Sequence, residues 1–310
     1  MTGHEAGHRS AATGASSTER APGRDEAIAV LSWNLGHGLD FGDEAGRRRP
    51  LRHRISRSPQ PQGRYLLVNR DLGDEFAEAL ARWEWDIALL QECPPRWHER
   101  LRAIAADGSF ALTSRNSLPA LRSALARCRP HLMRSNEGGS NGILVRGDAV
   151  RWREQLTLTA GSRAERRTMV AIGLRSGLCV ACLHASNDSA RAPAEVLHAA
   201  DEAMRLAGDR PLIFGGDFNV AAAHPGLFAE LTERGLEGRP GRYLDHILGR
   251  GLQTATPIKS LPDGEREVPE ARRRIRLSDH VPVRARFHRL PSGHRSTTGV
   301  FIGGQDAAAS

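Results

Sequence analysis

Lysine is almost missing: Lys259 is the only one among 44 Lys and Arg residues, so the formal charge of +8 is carried by arginine. Arginine in that excess reflects codon usage as well as function. It therefore weakens basicity as a pointer to a polyanionic partner such as nucleic acid, a phosphorylated small molecule or an acidic membrane surface. Cysteine is scarce too. Cys93, Cys128, Cys179 and Cys182 show neither a regular disulfide spacing nor a second C-x-x-C, which argues against a disulfide scaffold and a four-cysteine zinc site. Cys179 and Cys182 form one C-x-x-C inside Leu-Cys-Val-Ala-Cys-Leu. That context reads as a buried strand, where positions three apart point to opposite faces, so both are expected to be structural thiols in a reducing cytosol. Long apolar runs are also absent. No stretch reaches the length of a bilayer span, and residues 1–26, rich in Gly, Ala, Ser and Arg, hold no apolar segment of an export signal. The expectation is a cytoplasmic protein with no transmembrane segment and no evident obligate protein partner.

What is present is an ordinary apolar content of 39% over 310 residues, enough for a large core. Residues 1–26 and 291–310 are small and polar and read as disordered tails around a domain at 27–290. Within it, short runs rich in Val, Ile and Leu read as strands: Ile28 to Trp33, Asp86 to Leu90, Ile143 to Val145, Met169 to Leu174, Leu178 to Leu183, Leu212 to Phe214, Tyr243 to Leu248 and Val281 to Phe287. Helical spacing appears between them. Phe76, Ala79, Leu80 and Trp83 form one stripe behind Asp74 and Glu75; Trp97, Leu101 and Ile104 follow Pro94-Pro95; Val196, Ala200, Met204 and Ala207 stop at Gly208. Ser117 before Leu118-Pro119 reads as the cap of a further helix. The segment 42–66, dense in Arg and Pro without apolar periodicity, reads as a long basic loop.

Polar residues recur where these strands begin or end: Ser32-Trp33-Asn34, Leu90-Gln91-Glu92, Leu183-His184, Gly215-Gly216-Asp217-Phe218-Asn219, Leu244-Asp245-His246-Ile247 and Ser278-Asp279-His280-Val281-Pro282-Val283. Open α/β sheets place their ligands at strand ends, and an antiparallel strand starts at the edge where its neighbour stops, so all six clusters can converge. Together they make a chemical set. Carboxylates and carboxamides are hard oxygen ligands for Mg²⁺ or Mn²⁺, which neutralise phosphoryl oxygens. Histidines beside carboxylates supply acid and base near neutrality, and Asn219 can donate to a phosphate oxygen. Singly, each has an ordinary explanation as a turn, cap or core residue. Their joint occurrence in order does not.

The ordered series, from Ser-Trp-Asn34 to Ser-Asp279-His280-Val-Pro-Val, resembles the endonuclease/exonuclease/phosphatase superfamily across residues 28–287. That resemblance implies an α/β fold, a four-layer sandwich of two mixed β-sheets packed face to face with helices on the outer faces. It implies a divalent metal, Mg²⁺ or Mn²⁺, held by Glu92 with help from Asn34 and Asp279. Asp217 would orient or deprotonate the attacking water, His184 and Asn219 would bind the scissile phosphate, and Asp245 would orient a catalytic histidine, His280 or its partner. Abasic-site endonucleases carry tyrosine where this chain has His184, so the sequence looks more like the histidine-containing, deoxyribonuclease I-like branch.

The expected function is therefore metal-dependent phosphoester hydrolysis, led by a phosphodiesterase or nuclease reaching DNA or RNA through arginine-rich loops. Those loops hold Arg47, Arg48, Arg49, Arg52, Arg54, Arg57 and Arg64, with Arg272, Arg273, Arg274 and Arg276 before the last motif. A small-molecule phosphatase or phosphodiesterase is the alternative, and a non-catalytic phosphate-binding module a third. His37, His53, His98, His198, His224 and His246, with Asn141 and Asn187, read as surface or structural. Asp40 and Asp43 read as acidic loop residues near the first motif.

Overall fold

The computed structural model describes residues 27–42, 54–56, 58–113, 118–158, 167–224, 226–238 and 244–290. The tails expected at 1–26 and 291–310 lie outside these, as do Asp43, Arg47, Arg48, Arg49, Arg52, His53, Arg57, Ser117 and Tyr243. In chain order the strands are β1 (Ile28–Asn34), β2 (Asp40–Phe41), β3 (Gln60–Gln62), β4 (Tyr65–Leu67), β5 (Ile87–Gln91), β6 (Asp107–Leu112), β7 (Ser140–Val145) and β8 (Val150–Thr157). Then come β9 (Thr168–Leu174), β10 (Cys179–His184), β11 (Leu212–Asp217), β12 (Asp245–Arg250), β13 (Leu252–Ser260), β14 (Glu267–Glu270), β15 (Arg273–Leu277) and β16 (Val283–Arg289). The α-helices are α1 (Gly73–Arg82), α2 (His98–Arg102), α3 (Pro119–Cys128), α4 (Pro130–Met133), α5 (Ala192–Ala207) and α6 (Leu227–Glu233).

Two mixed sheets form the centre, one in the order β13-β16-β1-β5-β7-β6 and the other β12-β11-β10-β9-β8. Strands β1, β9 and β10 are buried along their whole length, which is why they read as continuous apolar runs rather than alternating ones. One face of each sheet meets the other: Val30, Ile87, Leu89 and Ile143 pack with Val170, Ile172, Val180 and Ile213. The outer faces take the helices. Phe76, Ala79 and Leu80 of α1 cover Leu31, Trp33 and Leu90, and Val196, Ala199, Ala200 and Ala203 of α5 cover Ala181, Leu183 and Phe214. Helix, sheet, sheet, helix is the four-layer sandwich that the resemblance implied.

Cys179 lies in the helix-covered core and Cys182 in the core between the sheets, on opposite faces of β10 as the strand geometry requires. Both are free thiols, and burial pushes Cys182 up to about 12, so the C-x-x-C is structural. Among the described residues no helix is long and apolar enough to cross a membrane.

The basic loop at 42–66 needs correction. Part of it forms the hairpin β3-β4, which joins β15, β14 and β2 in a third, smaller sheet. Buried Tyr65 anchors the hairpin, its hydroxyl donating to Glu267 Oε1 at 2.8 Å. The arginine run before the last motif is likewise strand β15, which buries Ile275 and Leu277 at every second position. Strand β16 starts at Val283, two residues after the expected start, because Pro282 has no N–H for a ladder.

Candidate active site

Register brings the strand ends together. Asn34 pairs with Gln91 across the parallel β1 and β5, leaving Glu92 just beyond. His184 pairs with Asp217 across the parallel β10 and β11, and Asp217 pairs with Asp245 across the antiparallel β11 and β12. Asp279 and His280 lead into β16, which runs antiparallel beside β1. Each sheet thus contributes residues to one edge of the sandwich.

Hydrogen bonds lock the set. Asn34 Nδ2 donates to Asp217 Oδ2 at 2.9 Å, joining the two sheets, while Asn34 Oδ1 accepts the Gly36 N–H at 3.0 Å. Asp217 Oδ1 accepts the backbone N–H of Asn219 at 2.9 Å. His280 Nδ1 lies 3.0 Å from Asp245 Oδ2, so His280 is the histidine that Asp245 orients. The His280 Nε2 atom faces Asp217 Oδ2 at 3.8 Å, and His184 Nε2 faces the same oxygen at 3.5 Å. Ser278 fixes the approach: its hydroxyl donates to Asn34 O at 2.6 Å and accepts the His280 N–H at 3.1 Å.

Burial and neighbouring charge split the two imidazoles. Burial opposes a charge on His280, but the Asp245 hydrogen bond and the carboxylates of Asp245, Asp217 and Asp279 outweigh it and lift the ring to about 10. Burial pushes His184 down to about 3, helped by the cationic Arg167 against the pull of Asp217. Asp217 itself is raised, first by burial and then by the charge of Asp245, which leaves a carboxylate more basic than usual. At neutral pH the arrangement offers a cationic donor, a neutral imidazole and a strengthened base around one point.

Two groups of donors suit a cation. Asp217, Asp245 and His280 each present one ligand atom within 4.8 Å of the others, a possible Asp/Asp/His site. Glu92 and the exposed Asp279 flank the turn after Asn34, where a Cβ on Gly36 would meet the Phe41 ring at 3.1 Å and Asp279 Oδ1 at 3.2 Å, so glycine lets the turn approach both. Hard carboxylate and carboxamide oxygens of this kind fit Mg²⁺ or Mn²⁺.

Three residues were missed or undervalued. Arg167 is buried beside His184, its Nη1 3.3 Å from Nδ1, and its Nη2 donates to Asn187 Oδ1 at 3.3 Å. It follows a stretch with no strand pattern, so only its proximity in space reveals it. Asn187, which reads from the sequence as surface or structural, also accepts from Asn219 Nδ2 at 3.0 Å. His37 Nε2 lies 3.4 Å from Glu92 Oε2. By contrast Asp40 is occupied elsewhere, against His131 and the Val68 N–H, and Asn141 holds the Thr168 carbonyl. His98 is bonded to Ser140 and His246 to the Val220 carbonyl, both structural as read from the sequence.

A four-layer α/β sandwich with acids, amides and imidazoles gathered at one end of both sheets defines a class built to act on phosphate esters. The sequence bears this out: residues 31–280 match the model of the Endonuclease/Exonuclease/phosphatase family, and the chain belongs to that family, whose named activities all cleave phosphate esters. Among solved structures it is similar to the mannosyl-6-phosphatase Bt3783 of Bacteroides thetaiotaomicron, at 14% identity and a TM-score of 0.56 over 84% of this chain and 99% of the other. The human Nocturnin catalytic domain with bound sulfate is also similar, at 17% identity and a TM-score of 0.53 over 85% of this chain and 95% of the other. A further Bacteroides thetaiotaomicron family member gives 14% identity and 0.55 over 84% and 95%. At such identities the likeness is one of fold. No curated protein matches the chain in sequence.

Proposed function

We propose that the protein is a divalent-metal-dependent phosphoester hydrolase in which water attacks phosphorus. The observation that carries this is the line Asp245, His280, Asp217, with His280 Nδ1 3.0 Å from Asp245 and its Nε2 3.8 Å from Asp217. Asp217, held by Asn34 and the Asn219 N–H and made basic by burial, takes the proton of the attacking water. His280, kept cationic by Asp245, presents Nε2–H to a phosphate oxygen or the departing oxygen. His184 stays neutral; with Arg167 at its Nδ1, its Nε2–H points toward Asp217 and the phosphate. Asn219 Nδ2 donates to Ala185 O at 2.9 Å and to Asn187 Oδ1 at 3.0 Å, which fixes Asn187 at the mouth of the site with its own amide N–H groups turned to a second phosphate oxygen.

Glu92, Asp279 and Asn34 Oδ1 are the residues that would hold the Mg²⁺ or Mn²⁺ ion, because Asp217 and His280 are given to proton transfer and Asp245 to holding His280. The metal would supply charge neutralisation at phosphorus and at the leaving group.

The net charge of +8 supports DNA or RNA as substrate. A specific observation favours the second reading, a small phosphate ester. Arginines in and around the third sheet are paired with acids: Arg64 and Arg274 share Glu267 at 3.3 and 3.1 Å, and Arg70 meets Glu270 at 3.2 Å. Paired arginines release few counterions. The deciding experiment incubates the full chain with Mg²⁺ or Mn²⁺ against DNA, RNA, nucleotides, phosphoinositides and sugar phosphates, and follows turnover against salt. A steep loss with salt selects nucleic acid, and a shallow one the small ester. Failure to hydrolyse any phosphate ester with either metal overturns the proposal.

A further inference from the structure

Resting on that reading of the metal edge, we infer that His37 is an additional metal ligand beside Glu92, giving the ion a nitrogen donor and favouring a transition-metal dication over Mg²⁺. The contact leaves room for a cation. His37 Nε2 and the Glu92 carboxylate oxygen stand 3.4 Å apart, longer than an ordinary N–H···O hydrogen bond, and both can turn lone pairs to one ion. Two donors bound side by side on one ion at about 2.1 Å are separated by roughly 3 Å, close to this spacing. His184 cannot serve in the same way: Glu92 Oε1 also lies 3.9 Å from its Nδ1, but Arg167 donates to that nitrogen and Asp217 faces its Nε2. The His37 ring has no such competitor: its Nδ1 is buried and has no hydrogen-bond partner among the described residues, and Glu92 is what its Nε2 meets.

The backbone is bent to make this meeting. His37 at φ +56° and Glu92 at φ +48° are both non-glycine residues in the left-handed region, and His37 stands between Gly36 and Gly38 at +55° and +71°. Sterics disfavour that conformation for L residues, and here it falls on both partners of one contact. Gly139 makes the space. A Cβ there would stand 3.3 Å from His37 Cε1 and 3.5 Å from the Cα of Glu92, so glycine lets both approach. An imidazole added to carboxylate ligands moves selectivity from Mg²⁺ toward first-row transition ions.

The test uses the full chain and Mn²⁺ as the probe. Bound Mn²⁺ is titrated by EPR, Mg²⁺ affinity is read by competition, and pulsed EPR reports nitrogen coupling to the bound ion. Wild type is expected to show nitrogen coupling. His37→Gly, which relaxes the left-handed residue and so favours folding, should lose the coupling and weaken Mn²⁺ by roughly tenfold or more, with Mg²⁺ changed less. His37→Asn, which tolerates the same conformation and offers an oxygen, should regain binding without nitrogen coupling and shift preference toward Mg²⁺. Coupling that survives His37→Gly, or an unchanged ratio of Mn²⁺ to Mg²⁺ affinity, overturns the inference while leaving the hydrolase reading standing. Wild type that binds neither ion, or Glu92→Gln that binds both as wild type does, overturns the metal reading itself.

Discussion

At the scale of single residues, the proposed chemistry depends on two histidines being held in different states. Asp217→Asn, His184→Ala and His280→Ala should each lower kcat by about a hundredfold or more, the usual loss for a positioned acid or base. Wild-type turnover in all three would show the site to be misassigned. Asp245→Asn removes both the hydrogen bond and one charge that keep His280 protonated. The alkaline limb of the pH–rate profile should then move down by about 1–3 units, and an unmoved limb would detach His280 from the rate. The same shift links to stability. A ring raised from 6.5 to about 10 on folding contributes fully below 6.5, and its contribution is lost as pH rises from 6.5 through 10. In EDTA, the urea midpoint of wild type minus that of His280→Ala should therefore shrink across that window. The acids and imidazoles that the fold brings together could be picked out in the sequence because each stands where an apolar run begins or ends. The partnership of Asp245 with His280 was not, since it joins residues 35 positions apart through sheet pairing. Arg167 follows no strand signal and His37 stands in the glycine-flanked turn beyond one, so their places come from what folding sets beside them.

At the scale of elements, legibility followed burial. Strands β1, β5, β10 and β11 lie inside their sheets, bury every residue and were readable as apolar runs. Strands β6, β8 and β13 escaped notice as sheet edges, where solvent on one side permits sequences such as VRWREQLT. The hairpin β3-β4 was hidden because strands of three residues are too short to show alternation. Helices divide in the same way. Leu80 of α1 is fully buried against Trp33 and Leu90, whereas Leu121 and Leu125 of α3 are 54% and 44% exposed. Leu80→Ala should lower unfolding free energy by about 2–5 kcal/mol, and Leu121→Ala by roughly 0.5 kcal/mol or less. Denaturant titration of the two variants checks the contrast; a large loss at Leu121 would mean that the exposed stripe of α3 packs against something in solution.

At the scale of the whole molecule, the site exists only while the two sheets stay packed. Asn34, Glu92, Asp279 and His280 come from the six-stranded sheet, His184, Asp217 and Asp245 from the five-stranded one, and the Asn34 to Asp217 hydrogen bond crosses the gap at 2.9 Å. The spacing depends on Gly215, two residues before Asp217. A Cβ there would lie 2.6 Å from the His246 carbonyl oxygen on β12 and 2.9 Å from Leu89 Cδ1 on the opposite sheet. Backbone on one side cannot yield cheaply, so Gly215→Ala must tilt β11 or push Leu89 and its sheet away. Both movements displace Asp217 from Asn34 and His280. Stability should fall by about 1–3 kcal/mol, the usual cost of overpacking, and turnover should fall with it even at temperatures where the variant remains folded. Pairing Gly215→Ala with Leu89→Ala removes the atom on the far side while leaving the His246 carbonyl in place. If the inter-sheet clash dominates, the double variant recovers turnover relative to Gly215→Ala alone. If the clash within the five-stranded sheet dominates, it recovers none, and the geometry of the site is then set by β11 and β12 rather than by the gap between the sheets.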